Sequence, residues 1–346
     1  MSIIDFKKIV RKAWENYDSS RKIKRVADIS AMVSTNHVYK VTLRNGQFII
    51  AKLSYFGKYE HFTEDHSIIN NLSNNLPYPF ENFLSRALMN KDGLYVYRHE
   101  DDLIDAWVIF YRPVPKIRML PKRLNEDQIR TLARQFALFH QACDTVKNTL
   151  PPYSKTMKTD VDHLLRAVNS EYGKYEFGFH TDLIRTHSEL FKKNSQKLGI
   201  EEFNKIPVFV DWNIGNFSVN DDFSFYSRWD YDWFRVSTRM LDFYFISRIV
   251  SDVGDKTVFS YLTDPLMEER FMVFLEEYHK VFPLHAEEVL FLKEMYRFFI
   301  LNYVVHFGNY FFHDLIAKRL QKEAYETYLP QIDNFKPEKI LKHLGM

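Results

Sequence analysis

VFVDWNIGNFSV, residues 208–219, sets a carboxylate and an amide five positions apart, Asp211 and Asn216, inside a run otherwise built mostly of large apolar residues. Taken alone, the pair reads as a turn in which both side chains bond their own backbone. The sequel changes that. FSFYSRWDYDWF (223–234) is another short apolar run, and it ends in Asp230, fourteen residues after Asn216, the length of one tight hairpin. A second carboxylate is thereby returned to the first loop. An aspartate beside a hydroxyl orients it and accepts its proton, and an amide oxygen with one carboxylate is the usual protein share of a Mg²⁺ shell completed by phosphate and water. Asp211 is the candidate base; Asn216 and Asp230 are the candidate metal ligands, with Asp232 as a further contact.

Outward from that loop, the periodicity changes along the chain. HVYKVTLRNGQFIIAKLS (37–54) places two apolar runs around Arg44-Asn45-Gly46, a strong short hairpin signal. KYEHFTEDHSIINNLSNNLP (58–77) carries Phe62, Ile68, Ile69 and Leu72 at helical spacing and is stopped by Pro77. GLYVYRH (93–99) and DAWVIFYR (105–112) are further strand candidates, the second ending at Pro113. From Asn125 the pattern turns helical: an N-cap residue, first-turn acids, then Ile129, Leu132, Phe136 and Phe139 on one face. More helices are expected near 178–197, 239–251, 266–281, 285–305 and 308–328, with short strands only around 206–230. The expected architecture is α+β and bilobal: a β-rich amino-terminal lobe with one inserted helix, residues 1–112, and a larger helical lobe, residues 113–346.

Composition narrows the partners. The chain of 346 residues is 46% hydrophobic and carries 47 basic against 45 acidic residues with no long block of either sign, so nothing points to nucleic acid. A small-molecule partner fits better. Cys143 is the sole cysteine and cannot form an internal disulfide; no apolar run approaches a membrane span, and the first residues carry charges at helical intervals. These features suggest a soluble cytoplasmic protein.

The combined pattern resembles the aminoglycoside phosphotransferase and choline kinase-like family of small-molecule kinases, whose fold is protein-kinase-like. That family's catalytic loop, D-x-x-x-G-N, is matched by Asp211, Gly215 and Asn216; its metal aspartate by Asp230; and an aspartate that braces the loop by Asp242 in STRMLDFYFISR. The resemblance covers roughly residues 30–250. It implies a phosphate-holding Lys52 in QFIIAKLS with Glu64 on the next helix as its counter-charge. It also implies a nucleotide loop in SAMVSTNHVYKV (30–41), where Ser34, Thr35 and Asn36 stand in for the missing glycines. ATP, with GTP not excluded, would sit near a hinge at Phe110-Tyr111-Arg112-Pro113 together with Mg²⁺. The family's L-A-x-L-H helix ending is echoed at Phe136–His140, where His140 is expected to be structural. Where the family usually carries His two residues before the base, this chain has Phe209, a ring expected to pack under the loop.

The implied reaction is phosphorylation of a hydroxyl on a small metabolite: a sugar, an amino alcohol or a hydroxy amino acid. Two alternatives stay open, an aminoglycoside antibiotic phosphotransferase and a non-catalytic nucleotide-binding pseudokinase.

Overall fold

The computed structural model describes residues 4–115, 118–254 and 260–346. The amino-terminal lobe is built on the Asn45-Gly46 turn. Gly46 sits at φ +88°, a region open to a residue without Cβ, and Leu43 N donates to Gln47 O at 2.8 Å. That turn closes β2 (His37–Leu43) onto β3 (Phe48–Ser54), pairing Val38 with Lys52 and Thr42 with Phe48. Strand β1 (Ile23–Asp28) flanks β2. The short pair β4 (Met89–Asn90) and β5 (Gly93–Leu94) precedes β6 (Val96–Glu100) and β7 (Asp105–Tyr111), and the main antiparallel sheet runs β1-β2-β3-β7-β6.

Two helices cover this sheet, one on each face. Helix α1 (Phe6–Tyr17) buries Ile9, Val10, Ala13 and Trp14, its period-3.6 stripe, against Ile49, Ala51, Leu53 and Phe110. Helix α2 (Tyr59–Asn75) lies on the other face and ends just before Leu76-Pro77, because the residue preceding proline is pushed out of the helical region. Its Ile68, Ile69 and Leu72 join the core of the second lobe.

After Tyr111 the chain crosses to the helical lobe. Helix α3 (Glu126–Val146) opens with a capping box: Asn125 Oδ1 accepts from Gln128 N and Gln128 Oε1 from Asn125 N, both at 2.9 Å. Its buried face carries Ile129, Leu132, Phe136, Phe139 and His140. Then follow α4 (Met157–Asn169), α5 (Glu171–Phe177) and α6 (Thr181–Lys197), the first two not anticipated by the apolar spacing. Two small hairpin-like pairings come next, β8 (Lys205–Val208) with β11 (Arg235–Thr238) and β9 (Phe217–Val219) with β10 (Phe225–Arg228). Helices α7 (Phe243–Val250), α8 (Glu269–Val281) and α9 (Ala286–Phe299) complete the central packing.

The expected helices over 285–305 and 308–328 are interrupted. A π-helical turn occupies Ile300–His306, then α10 (Gly308–Phe311) and α11 (Asp314–Glu323) are separated by extended Phe312. Tertiary pairing causes the break: Phe312 bridges Ser34 and His313 N donates to Val33 O at 3.2 Å, so the chain straightens to meet the first lobe. A second π-helical turn (Ala324–Tyr328), α12 (Leu329–Gln331) and α13 (Glu338–Leu344) end the chain. Among the described residues no helix is long and apolar enough to cross a membrane.

Candidate active site

Four short strands set the site. The 209–216 loop leaves β8 and enters β9, while the 229–234 segment leaves β10 and enters β11; each strand pairs across the two segments, so both polar loops emerge side by side. The first loop bends sharply. Val210 has φ 58°, a left-handed conformation that β-branched residues rarely adopt. Asp242, fully buried, holds it there: Oδ1 accepts the backbone N–H of Phe209 at 3.0 Å and of Val210 at 2.7 Å. Oδ2 faces His140 Nε2 at 3.0 Å, whose Nδ1 meets Tyr278 Oη at 2.8 Å. A ring protonated at Nε2 satisfies both partners, so His140 is part of the brace.

The loop then presents Asp211 and Asn216 together. Asp211 Oδ1 accepts from Asn213 N at 3.2 Å and Nδ2 at 2.6 Å, and Oδ2 accepts from Asn216 Nδ2 at 3.0 Å. The turn reading therefore holds: Asp211 caps its own turn and still faces Asn216. With Nδ2 committed to Asp211, the Asn216 oxygen is the atom left to accept or ligate. Burial, reinforced by the charge of Asp230, pushes the Asp211 carboxyl up to about 7. That places a proton acceptor near neutral pH, where general bases work best.

Behind the loop stands Arg228, which the sequence reading missed. It is fully buried, donates Nη2 to Asp211 O at 2.8 Å, and lies 4.0 Å from the Trp212 ring centroid and 4.6 Å from that of Phe209. A guanidinium between two aromatic faces is held by its attraction to the π faces. Phe209 does pack under the loop, against Phe139, Trp212, Tyr231 and Phe234. An available signal was the arginine closing the Phe225–Arg228 strand, two residues before Asp230.

Lys52 reaches this cluster from β3. Its ammonium bonds Asp230 Oδ1 at 2.8 Å and also pairs with Asp232 Oδ1. Burial works against the ammonium, but the two carboxylates outweigh it and raise its pKa above the ordinary value. Asp230 is likewise pushed up by burial, yet Lys52 and Arg228 bring it below the usual carboxylate range; Asp232 stays above it, because burial and the neighbouring Asp230 prevail. Lys52, Asn216 and Asp230 line one cavity of about 570 Å³ between the lobes, with Ile29, Val38, Tyr111 and Trp229 among its walls. Among the described residues no group of three or more His, Cys, Asp or Glu could hold a metal by itself. Mg²⁺ does not need one: it takes one or two protein oxygens and fills the rest of its octahedron with phosphate and water, which the Asn216 amide and the 41% exposed Asp230 carboxylate suit.

Several expected contacts are corrected. Glu64 does not meet Lys52: its carboxylate accepts from Ser154 N at 2.8 Å and Ser154 Oγ at 2.9 Å. The reason is helical phase, since Phe62 and His66 face the sheet and Glu64, two residues from each, is rotated about 200° away. Phe110 points away from the cavity into the α1 core, its ring 5.3 Å from that of Trp14, because side chains alternate along β7; Tyr111, Arg112 and Pro113 do line the cavity.

The three loop residues expected at phosphate are all engaged within the protein. Ser34 Oγ accepts from Asn36 N at 3.1 Å, Thr35 Oγ1 donates to Tyr310 O, and Asn36 Nδ2 donates to Asp232 Oδ2 at 2.7 Å. Asp232 Oδ1 pairs with Lys52 and Oδ2 accepts from Asn36, so both oxygens of this candidate metal contact are engaged within the protein.

No protein-family model and no curated protein matches the sequence. Solved structures do match in shape. An amicoumacin kinase in complex with AMP-PNP and Ca²⁺ superposes at TM-score 0.65 with 14% identity, covering 97% of each chain. A microcompartment-associated aminopropanol kinase gives 0.61 at 16% identity, covering 92% of this chain and 94% of its own. An ADP-bound aminoglycoside phosphotransferase gives 0.53 at 13%, covering 93% and 98%. The chain thus has the bilobal, protein-kinase-like fold of these small-molecule phosphotransferases.

Proposed function

We propose that the protein is a nucleotide- and Mg²⁺-dependent phosphotransferase that phosphorylates a hydroxyl group of a small molecule. The observation that carries this reading is that Asn216, Asp230 and Lys52, drawn from two loops and a strand of the other lobe, line one interlobe cavity of about 570 Å³, with Asp211 bonded to Asn216 at 3.0 Å. Asp211 orients the acceptor hydroxyl and takes its proton. Lys52 holds phosphate oxygens and is released for that task from a carboxylate pair rather than from Glu64. Asn216 and Asp230 would hold the metal, whose chemistry is to neutralise charge on the phosphates. Tyr111, Arg112 and Pro113 receive the base of ATP or GTP at the lobe junction. A lone buried cysteine and a need for nucleotide suit the cytoplasm.

Aminopropanol, amicoumacin and aminoglycosides are acted on by proteins of the same fold, so acceptors of the sugar and amino-alcohol type head the panel, with hydroxy amino acids beside them. The test is ATP and GTP turnover with Mg²⁺ against such a panel, antibiotics included, read by mass spectrometry for gain of one phosphoryl group. A protein that binds nucleotide but phosphorylates nothing is the pseudokinase alternative; one that binds none removes the reading altogether.

A further inference from the structure

Antiparallel partners directly opposite one another share a face of the sheet, so Ile50, Lys52 and Ser54 of β3 lie on the same side as Tyr111, Ile109 and Trp107 of β7. Helix α2 crosses that side. The Phe62 ring lies 5.8 Å from the Trp107 ring and the His66 ring 6.1 Å from the Tyr111 ring. Lys52 falls between these two rows, so His66 is the polar residue that α2 presents to the lysine, in the place where the sequence suggested an acid.

His66 is 4% exposed. Its Nδ1 is 2.8 Å from the Phe62 carbonyl oxygen, and a carbonyl only accepts, so the ring proton sits on Nδ1 and Nε2 carries a bare lone pair. That Nε2 is buried without a partner among the described residues, and so is the hydroxyl of Tyr111, whose ring lies 6.1 Å from the imidazole. Native interiors leave few such atoms unpaired, and those they leave call for a reason. Burial, with the nearby Lys52 ammonium adding to it, holds the imidazole pKa down to about 3, so the ring stays neutral.

We propose that His66 positions Lys52 for nucleotide phosphate, its Nε2 lone pair accepting from the ammonium when phosphate draws the lysine off the Asp230–Asp232 pair. This rests on the phosphotransferase reading above. An ammonium has three N–H donors, and the two aspartates engage it already. A glutamate in this position would set a third negative charge against one ammonium, in a cavity that must admit a polyphosphate. A neutral acceptor aims the remaining N–H and adds no charge.

Three variants of the full chain test it: His66→Leu, His66→Asn, which retains a group near the Nδ1 position but none at Nε2, and His66→Gln, whose amide oxygen reaches about as far as Nε2. The readouts are kcat and KM, the Kd for nucleotide with Mg²⁺, and the thermal midpoint of the free protein. Leu and Asn are expected to lose about 10- to 100-fold in kcat/KM, the scale of one hydrogen bond to a charged group, while Gln recovers most of it. The Leu midpoint should hold or rise, because an unpaired buried acceptor has been removed.

Wild-type activity in His66→Leu, or a Gln variant no better than Asn, overturns the assignment. Should Leu fold poorly, the Asn and Gln pair still decides by the same comparison. A wild type that neither binds nor turns over nucleotide overturns the phosphotransferase reading itself, a result distinct from a wild type that is active and indifferent to His66.

Discussion

Asn36 of the loop before β2 donates its Nδ2 to Asp232 Oδ2 at 2.7 Å, tying the first lobe to the segment that carries Asp230. The same loop is pinned at Thr35, whose hydroxyl donates to Tyr310 O, and by the Ser34–Phe312 bridge. The roof of the cavity is thereby fastened to the helical lobe by hydrogen bonds, where glycine-rich loops rely on backbone freedom.

Asn36→Ala should loosen this roof. Loss of one hydrogen bond worth about 1 kcal/mol is expected to weaken nucleotide binding by roughly 3- to 10-fold and to speed amide exchange over residues 30–37. Titration calorimetry and hydrogen exchange measure the two effects. Unchanged exchange with unchanged affinity would show the contact to be idle.

Asp211 sets a pH dependence. Its carboxyl is raised to about 7, chiefly by burial, and a base must be ionised to act, so kcat should climb as pH rises through about 7 and level off above. The stability contribution has the opposite sense: a folded-state pKa raised above the ordinary 3.8 means the folded protein binds more protons, so the cost of ionising this group grows as pH rises from about 4 to about 7 and is constant above. Asp211→Asn should lower kcat by about 10²- to 10⁴-fold and abolish the rising limb, with nucleotide binding retained. An Asn variant that keeps the limb would take Asp211 out of the chemistry.

The corrected lysine partners give opposite expectations for Lys52 and Glu64. Lys52→Met leaves Asp230 and Asp232 facing each other without a cation and should abolish turnover. Glu64→Ala, which breaks only the bonds to Ser154, should leave kcat within a few-fold of wild type. Steady-state kinetics of both suffices; equal losses would restore Glu64 to the site.

Metal dependence separates Asn216 from its neighbour Asp211. Asn216→Ala and Asp230→Ala should weaken nucleotide binding in the presence of Mg²⁺ while leaving metal-free binding largely intact, because each removes an oxygen from the coordination shell. Binding titrations with and without EDTA check this. A variant whose Mg²⁺ dependence matches wild type does not ligate.

Asp242 is expected to matter through shape. Asp242→Ala strands the Phe209 and Val210 N–H groups and His140 in a dry interior and should cost about 3–5 kcal/mol, with Val210 free to leave its positive φ. Chemical denaturation gives the stability, and turnover per folded molecule gives the loop's share. A loss confined to activity at unchanged stability would contradict the brace.

Local sequence determined a good deal. Asn45-Gly46 between apolar runs specified the β2–β3 hairpin, the Asn125 capping box and its apolar stripe specified α3, and the spacing of Asp211, Asn216 and Asp230 located the polar loops, because turns, caps and short-range periodicity depend on neighbours in the chain. Rotational phase and lobe-to-lobe pairing do not. Whether Glu64 or His66 faces Lys52 depends on how α2 lies on the sheet; Phe110 and Tyr111 divide between core and cavity by strand register. The helix expected over 308–328 breaks because Phe312 pairs with Ser34, far away in sequence. Arg228 behind the 209–216 loop and Asn36 on Asp232 belong to the same class. These contacts join groups tens to hundreds of residues apart, where only the packed arrangement of elements decides which polar atoms meet and which are left unpaired.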